Sequence, residues 1–228
     1  MSSVPNALLQ HYVKLTEFLG LALGPDYEVA LHDMTDKSRS IIAIANNHVS
    51  GRELGAPLTN VALSILRDKS YEHSDYRLHY YGVSINGKDL RSSTMFIKQN
   101  GRLIGLLCIN FDDSRYRELS SRLIGLCHPD MFVEDVVLSS GEQTDAAAPE
   151  KFRNTTDAVA VDAIGRELEK LGVRADRLTS GERLKIVAAL EKGGIFLLKG
   201  AVKDVAAGLG CSQASVYRYL AQVKGEYD

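Results

Sequence analysis

Residues 90–111 read LRSSTMFIKQNGRLIGLLCINF. Two strand-length runs flank Asn100-Gly101, and an Asn-Gly pair in that setting is the strongest local signal for a tight hairpin. A second pair, Asn86-Gly87, separates this segment from the aromatic, alternating stretch YRLHYYGVS at 76–84. The runs 76–84, 90–98 and 102–112 therefore read as a three-stranded meander. Working outward, YEVALHDM (27–34) and SIIAIANN (40–47) are strand-like, and a glycine-punctuated loop at 50–60 leads into a helix, NVALSILRD. At the front, Leu8, Tyr12, Leu15 and Leu19 recur at helical spacing until Gly24-Pro25 stops them. The order helix, strand, strand, helix, three strands predicts an α+β unit: a five-stranded antiparallel sheet with helices packed against it. RLIGLLCINF is apolar at both alternating sets of positions, so both faces of that sheet are expected to be covered. Ser92, Ser93 and Thr94 interrupt the pattern where a core strand should be turning apolar.

The bulk properties set the class. The chain has 228 residues, of which 45% are hydrophobic and 25% charged, enough apolar material for a substantial core in one large or two modest domains. Its net charge is −2, but the charge is unevenly spread. Residues 151–228 hold 13 Lys and Arg against 10 Asp and Glu, and residues 1–150 hold 14 against 19. A weakly basic rear part on an acidic front permits nucleic-acid binding there without demanding it. Cys108, Cys127 and Cys211 are few, odd in number and not in CxxC spacing, which points to a reducing compartment and to neither a disulfide frame nor a zinc site. There is no basic stretch followed by an apolar run at the start and no segment near ~18 consecutive apolar residues, so a cytoplasmic protein is expected. No P-loop, GxSxG, HExxH or dinucleotide fingerprint occurs, and neither an enzyme nor a cofactor is expected.

From Ser139 the pattern changes. SSGEQTDAAAPEKFRNTT is small and polar without an apolar period, and reads as a linker. Beyond it, DAVAVDAIGRELEKLG places Val161, Ile164, Leu168 and Leu171 on one stripe, and Thr179 with Glu182 forms a capping box that opens the helix SGERLKIVAALEK. The segment AVKDVAAGLGCSQASVYRYL (201–220) then fits a helix-turn-helix. Ala206 is the small residue at the helix crossing, Gly210 supplies the turn, and Val205, Leu209 and Val216 are apolar inside. Ser212 is placed to cap the second helix. At about 100° per residue, Tyr219, Leu220 and Val223 share the buried side with Val216, and Ala214, Tyr217, Arg218 and Ala221 face outward. Ser212, Gln213, Ala214, Ser215, Tyr217 and Arg218 are thus the expected DNA contacts, suited to guanine, adenine, the thymine methyl and phosphate.

The front half resembles the YheO-like branch of PAS sensor domains in EVALHDM, IANNHVSGRELGAPLT and LRSSTMFIKQNGRLIGLLCINFD, and the rear half resembles that family's own helix-turn-helix in GIFLLKGAVKDVAAGLGCSQASVYRYL. Asn47 stands where the family's stretch is expected to carry a glycine, and an asparagine also tolerates a left-handed turn. The resemblance implies a bacterial transcriptional regulator, expected to be a repressor, that controls operator DNA in response to a small polar effector such as an amino acid or an amine.

A PAS-type sheet curves around a cavity, which gives the three hydroxyls a purpose. His32, Asp33, Asn46, His48, Tyr81, Ser92, Ser93, Thr94, Asn110 and Asp112 are the candidate effector-binding residues. Ser92 and Thr94 share one strand face and Ser93 takes the other, so they cannot all line one pocket. Carboxylates among hydroxyls and amides suit an amine or guanidinium. His32, His48 and Asp33 lack metal-site spacing and read as hydrogen-bonding residues. The alternative of a different class is a sensor-shaped module that binds a protein and no small molecule; an enclosed polar cavity separates the two. The expected layout is a sensor at 1–125, a linker at 126–156 and a helix-turn-helix domain at 157–228. A dimer or dimer of dimers is expected because one helix reads one half-site, with either 6–20 or 157–171 supplying the contact.

Overall fold

The structure, a computed structural model, describes residues 7–127 and 150–225. Its front part contains α1 (Ala7–Leu23), β1 (Tyr27–Asp33), β2 (Ile41–Ala45), α2 (Asn60–Asp68), β3 (Tyr76–Val83), β4 (Asp89–Gln99), β5 (Arg102–Phe111) and α3 (Ser114–Cys127). A short strand β6 (Glu150–Lys151) precedes four helices: α4 (Thr156–Leu171), α5 (Ser180–Lys192), α6 (Ala201–Gly208) and α7 (Gln213–Gly225). The chain is α+β, as expected.

The Asn-Gly pairs turn the chain. Asn100 and Gly101 both take positive φ, 51° and 76°, so that the turn follows the strand twist between β4 and β5. The sheet order is β2-β1-β5-β4-β3-β6, and the pairs among β1 to β5 are all antiparallel. The expected five strands become six: Glu150 and Lys151 pair in parallel with Gly82 and Val83. These two residues lie within the span read as linker, and of that span 128–149 is outside the described residues. The cause is the free edge of β3 together with Phe152, which is buried immediately after β6. A Cβ on Gly82 would stand 2.8 Å from the Phe152 ring, so glycine is what admits it.

The two faces of the sheet are covered by different things. Val29, Leu31, Ile97 and Leu107 pack with Leu9, Tyr12, Val13 and Leu19 under α1. The stripe expected on that helix is rotated. Leu9, Thr16 and Gly20 lie deepest, and Leu15 turns outward with Phe18 and Leu21. Close approach at Gly20 sets this rotation, since a Cβ there would lie 2.3 Å from that of Ala45.

On the opposite face the register stacks Glu28, Asn110 and Ser92 in one row, Ala30, Cys108 and Thr94 in the next, and His32, Leu106 and Phe96 in the third. A bulge between Arg77 and Tyr80 adds one residue to β3, with His79 at φ 53°, and brings Tyr80 beside Ser92.

In the rear part Thr179 and Glu182 form the capping box, and α6 and α7 meet through a turn in which Gly210 has φ 59°. The stripe expected on 157–171 is divided: Ile164 is buried while Val161 is 61% exposed. The buried face of α4 is Val159, Ala160, Ala163 and Ile164. Ile164 sits where a Cβ on Gly208 would be, 2.5 Å away, so that residue belongs to the contact between α4 and α6 and is not free for a dimer. The rear part rests on the front part. Lys199 Nζ lies 2.6 Å from Asp36, Arg67 Nη2 lies 3.5 Å from Glu191, and the turn at Gly194 sits against Leu63 and Arg67 of α2.

Candidate ligand site and nucleic-acid interface

The face of the sheet opposite α1 gathers buried charge. Glu28 on β1 accepts hydrogen bonds from Ser50 Oγ (2.5 Å) and Asn110 Nδ2 (2.8 Å). Arg52, in the loop after β2, donates its backbone N–H to Ser50 Oγ and Nη2 to Pro57 O. Glu150 on β6 accepts from Thr59 Oγ1 at 2.6 Å. Thr59 also caps α2 by accepting from Ala62 N. Glu28, Arg52 and Glu150 are each at most 3% exposed.

Two carboxylates and one guanidinium thus share a space closed from water, and burial dominates their protonation. It raises Glu28 above the ordinary carboxylate range despite the bonds from Ser50 and Asn110 and the charge of Arg52. It raises Glu150 in the same way, against the Thr59 bond and Arg52. Burial also lowers Arg52, which the two carboxylates partly offset. Cys108, beneath Thr94, is pushed up to about 12 by burial and by the charge of Glu150.

Four buried polar atoms here have no hydrogen-bond partner: Arg52 Nε, Ser92 Oγ, Asn110 Oδ1 and Glu150 Oε2. Ser92 Oγ is near enough to the Glu150 carboxylate to influence it, without a hydrogen bond of good geometry between them. Leaving such atoms unmade costs about 1–3 kcal/mol each. Four in one cluster is an unusual concentration, because nearly all buried polar groups in folded proteins are paired.

The structure brings four of the ten candidate residues to this face. Ser92 and Asn110 belong to the unpartnered set. Thr94 is there but satisfied, through Tyr80 Oη at 2.7 Å and Cys108 Sγ at 3.2 Å. His32 bonds Ser40 Oγ at 2.9 Å, and because that hydroxyl donates to Ala56 O, its Nδ1 carries the proton. Burial, and then the charge of Arg52, push His32 well below its ordinary value, so it is neutral.

The other six have local tasks elsewhere. Asp33 accepts from Thr35, and Asn46 ties Gly20, Gly24 and Tyr27 carbonyls together. His48 meets Pro25 O, and Ser93 accepts from His79 N at the bulge. Tyr81 donates to Asp89, and Asp112 accepts from Lys88 and Ser114 N. The left-handed residue of the IANNH stretch is Asn46, with φ 56°, and not Asn47, whose Nδ2 bonds Arg52 O.

Glu28, Ser50, Arg52, Thr59, Tyr80 and Glu150 were missed. The bulge at His79 shifts the parity of β3, so that Tyr80 and not Tyr81 pairs with Ser92. A charged residue inside an apolar strand was the available signal for Glu28, and SGREL held Arg52 in a loop read only as a connection.

At the other end, α7 buries Val216, Tyr219, Leu220 and Val223. Ser212, Gln213, Ala214, Tyr217 and Arg218 are exposed and Ser215 is half-buried. Ser212 Oγ accepts from Ser215 N, which caps the helix, and the Arg218 guanidinium lies 5.5 Å from the Tyr219 ring centre. Arg183 Nε donates to Leu209 O and so braces the turn from α5. The result is a rigid helix with a polar outer face, the form that enters a major groove.

Among the described residues, no group of His, Cys, Asp and Glu is arranged to hold a metal ion, and no helix is long and apolar enough to cross a membrane.

Comparison with known proteins agrees with both halves. The family model of the YheO-like PAS domain matches residues 3–128, more than half of the chain, and a helix-turn-helix domain model matches 160–221. The chain is 27% identical to the uncharacterized protein YheO of Escherichia coli K12, covering 95% of this chain and 85% of that one. It is 29% identical to an uncharacterized protein of Haemophilus influenzae, over 97% and 94% of the two chains. To the transcriptional regulator DauR of Pseudomonas aeruginosa it is 28% identical, over 98% of each.

Proposed function

Because the chain belongs to the YheO-like PAS family and carries a helix-turn-helix domain, we propose that it is a ligand-responsive transcriptional regulator. It acts as a cytoplasmic repressor, not as an enzyme. The exposed face of α7 reads operator DNA through Ser212, Gln213, Ala214, Ser215, Tyr217 and Arg218. The sensor binds a small polar effector with an amine-like group. Ser92, Asn110 and His32 take part from the original set, with Glu28 and Arg52 added. Asp33, Asn46, His48, Tyr81, Ser93, Thr94 and Asp112 shape the sensor without touching the effector. The observation that carries the sensing role is the set of unpartnered polar atoms buried on the face of the sheet opposite α1.

The protein works as a homodimer, because two half-sites need two copies of α7. Its contact falls on exposed apolar residues of the sensor, Phe18 and Leu21 on α1 and Leu119, Leu123 and Leu126 on α3. The last three recur at helical spacing on a helix with no buried residue of its own among those described, so α3 gains most from a second copy.

Two measurements test the reading. Mass spectrometry of molecules released from the purified protein should find a bound amine-bearing compound. In a titration at fixed salt, Arg218→Ala should weaken specific DNA binding by about 1–3 kcal/mol with an unchanged melting temperature. An unchanged operator affinity removes Arg218 from the interface.

A further inference from the structure

Glu150 belongs by sequence to the segment that leads into the DNA-binding helices, yet its side chain lies in the sensor. It is 91 residues from Thr59, which donates to its Oε1. It pairs with Gly82, whose missing side chain leaves the way open to Ser92: a Cβ on Gly82 would stand 3.1 Å from Ser92 Oγ. Its second oxygen, Oε2, has no partner.

Around it the balance of groups is uneven. Ser92 Oγ, Asn110 Oδ1 and Glu150 Oε2 can all accept, while only Arg52 Nε and the Ser92 hydroxyl can donate, so acceptors outnumber donors among the four unpartnered atoms. The assignment at Asn110 follows from its neighbour: its Nδ2 must face the Glu28 carboxylate, which leaves Oδ1 free. Two carboxyl groups against one guanidinium also leave one of them without a cationic counterpart. A compact ligand with several N–H groups and one positive charge answers both deficits.

The segment around Glu150 is held at several points. Lys151 N donates to Asn60 Oδ1 at 2.8 Å and Phe152 N to Val83 O at 3.3 Å. Asn154 donates to Gly51 O and accepts from Glu53 N, each at 3.0 Å. Thr155 is the N-cap of α4, and Arg153 is paired with Asp162 of that helix at 2.7 Å. Four residues therefore separate Glu150 of the sensor cluster from the cap of the first helix in the DNA-binding bundle.

We propose that Glu150 is a ligand-contacting residue of the sensor. It completes a site for a compact organic cation, shared with Ser92 and Asn110, so that effector binding and docking of β6 reinforce each other. This rests on the sensor reading above and adds to it the residue that couples the two halves. If docked β6 raises the affinity for the cation, the cation must raise the docking of β6 by the same factor. Occupancy then reaches α4 through residues 150–155.

The test uses the full chain with methylguanidinium, ethylammonium and 1,4-diaminobutane as probes, binding measured by calorimetry and the Lys151 and Phe152 amides followed by hydrogen exchange. At least one probe should bind the wild type and slow exchange at both amides. Glu150→Gln keeps the acceptor for Thr59 but loses the charge, and should weaken that probe about tenfold or more while abolishing the slowing. Asn154→Ala loosens the same segment without touching the cluster and should weaken the probe by about fivefold or more; this variant carries the test if Glu150→Gln does not fold. Equal affinity in wild type and Glu150→Gln, or binding without slower exchange, overturns the proposal, and the sensor reading survives if Ser92→Ala still weakens the probe. If no probe binds the wild type, the ligand class is wrong and the proposal falls, whereas the sensor reading falls only if the purified protein also releases no small molecule.

Discussion

Along β1 successive residues enter two different environments. Val29 and Leu31 lie under α1 with Leu9, Ile97 and Leu107, all apolar and all in contact. Glu28 and His32 lie on the opposite face with Ser50, Arg52, Ser92 and Asn110. One face is satisfied by dispersion and the removal of apolar surface, which requires no orientation. The other is built from groups that must each find a partner, and it includes atoms that have none. Both faces share a single set of backbone hydrogen bonds, so the apolar face can hold the strands in place while the polar face carries groups that are not fully paired. The difference teaches that the two roles of this sheet are divided by strand parity.

If the polar face is held together by its internal charge balance, removing that balance should have the largest effect. Arg52→Met leaves Glu28 and Glu150 buried without their cation, and should cost about 3–5 kcal/mol of stability near neutral pH, measured by denaturant unfolding. Its pH dependence has a definite sign. Glu28 and Glu150 have folded-state values raised above the usual 4.5. Their stabilising protonation is therefore complete below that value and lost as pH rises through the raised ones. The deficit of Arg52→Met should shrink as pH falls toward 5, and a deficit independent of pH would mean that the carboxylates do not depend on Arg52.

On the apolar face Leu31→Ala should cost about 3 kcal/mol at any pH from 5 to 8 and leave effector binding intact. A loss of effector response at unchanged fold would erase the distinction between the faces.

A smaller effect comes from His32, which folds neutral with a value well below 6.5. As pH falls below 6.5 the unfolded chain takes up a proton that the folded chain refuses, and stability should decline with a slope of up to about 1.4 kcal/mol per pH unit. His32→Asn should flatten that limb in a series of thermal melts. An unchanged slope would assign the acid sensitivity to another group.

The finest contrast lies within one strand. Thr94 has two partners and Ser92 Oγ has none. Thr94→Val should lower stability by about 1 kcal/mol and preserve the effector response. Ser92→Ala should leave the melting temperature within error and weaken the response. The reverse pattern would exchange their roles.

The turns, the capping box and the helix-turn-helix were legible because each depends on residues a few positions apart. Asn100-Gly101, Thr179 with Glu182, and the Ala206–Gly210–Val216 spacing determine their own geometry wherever they occur. The polar face was legible only in part. Ser92, Thr94, Asn110 and His32 could be placed by alternation within regular strands, whereas Tyr80 required the bulge at His79, which no alternating pattern announces.

From the sequence alone came β1 to β5, the helices other than α3, the meander, and the buried and exposed sides of α7, because local periodicity decides which side of an element is apolar. The tertiary structure alone decided that Arg52 is buried within the electrostatic reach of two carboxylates, that Ile164 is used within the helical bundle, and that Glu150 returns to the sensor sheet. Burial of a charge depends on neighbours far away in the chain. Glu150 meets Thr59 across 91 residues and Asn110 meets Glu28 across 82, separations at which only the folded backbone brings the groups together.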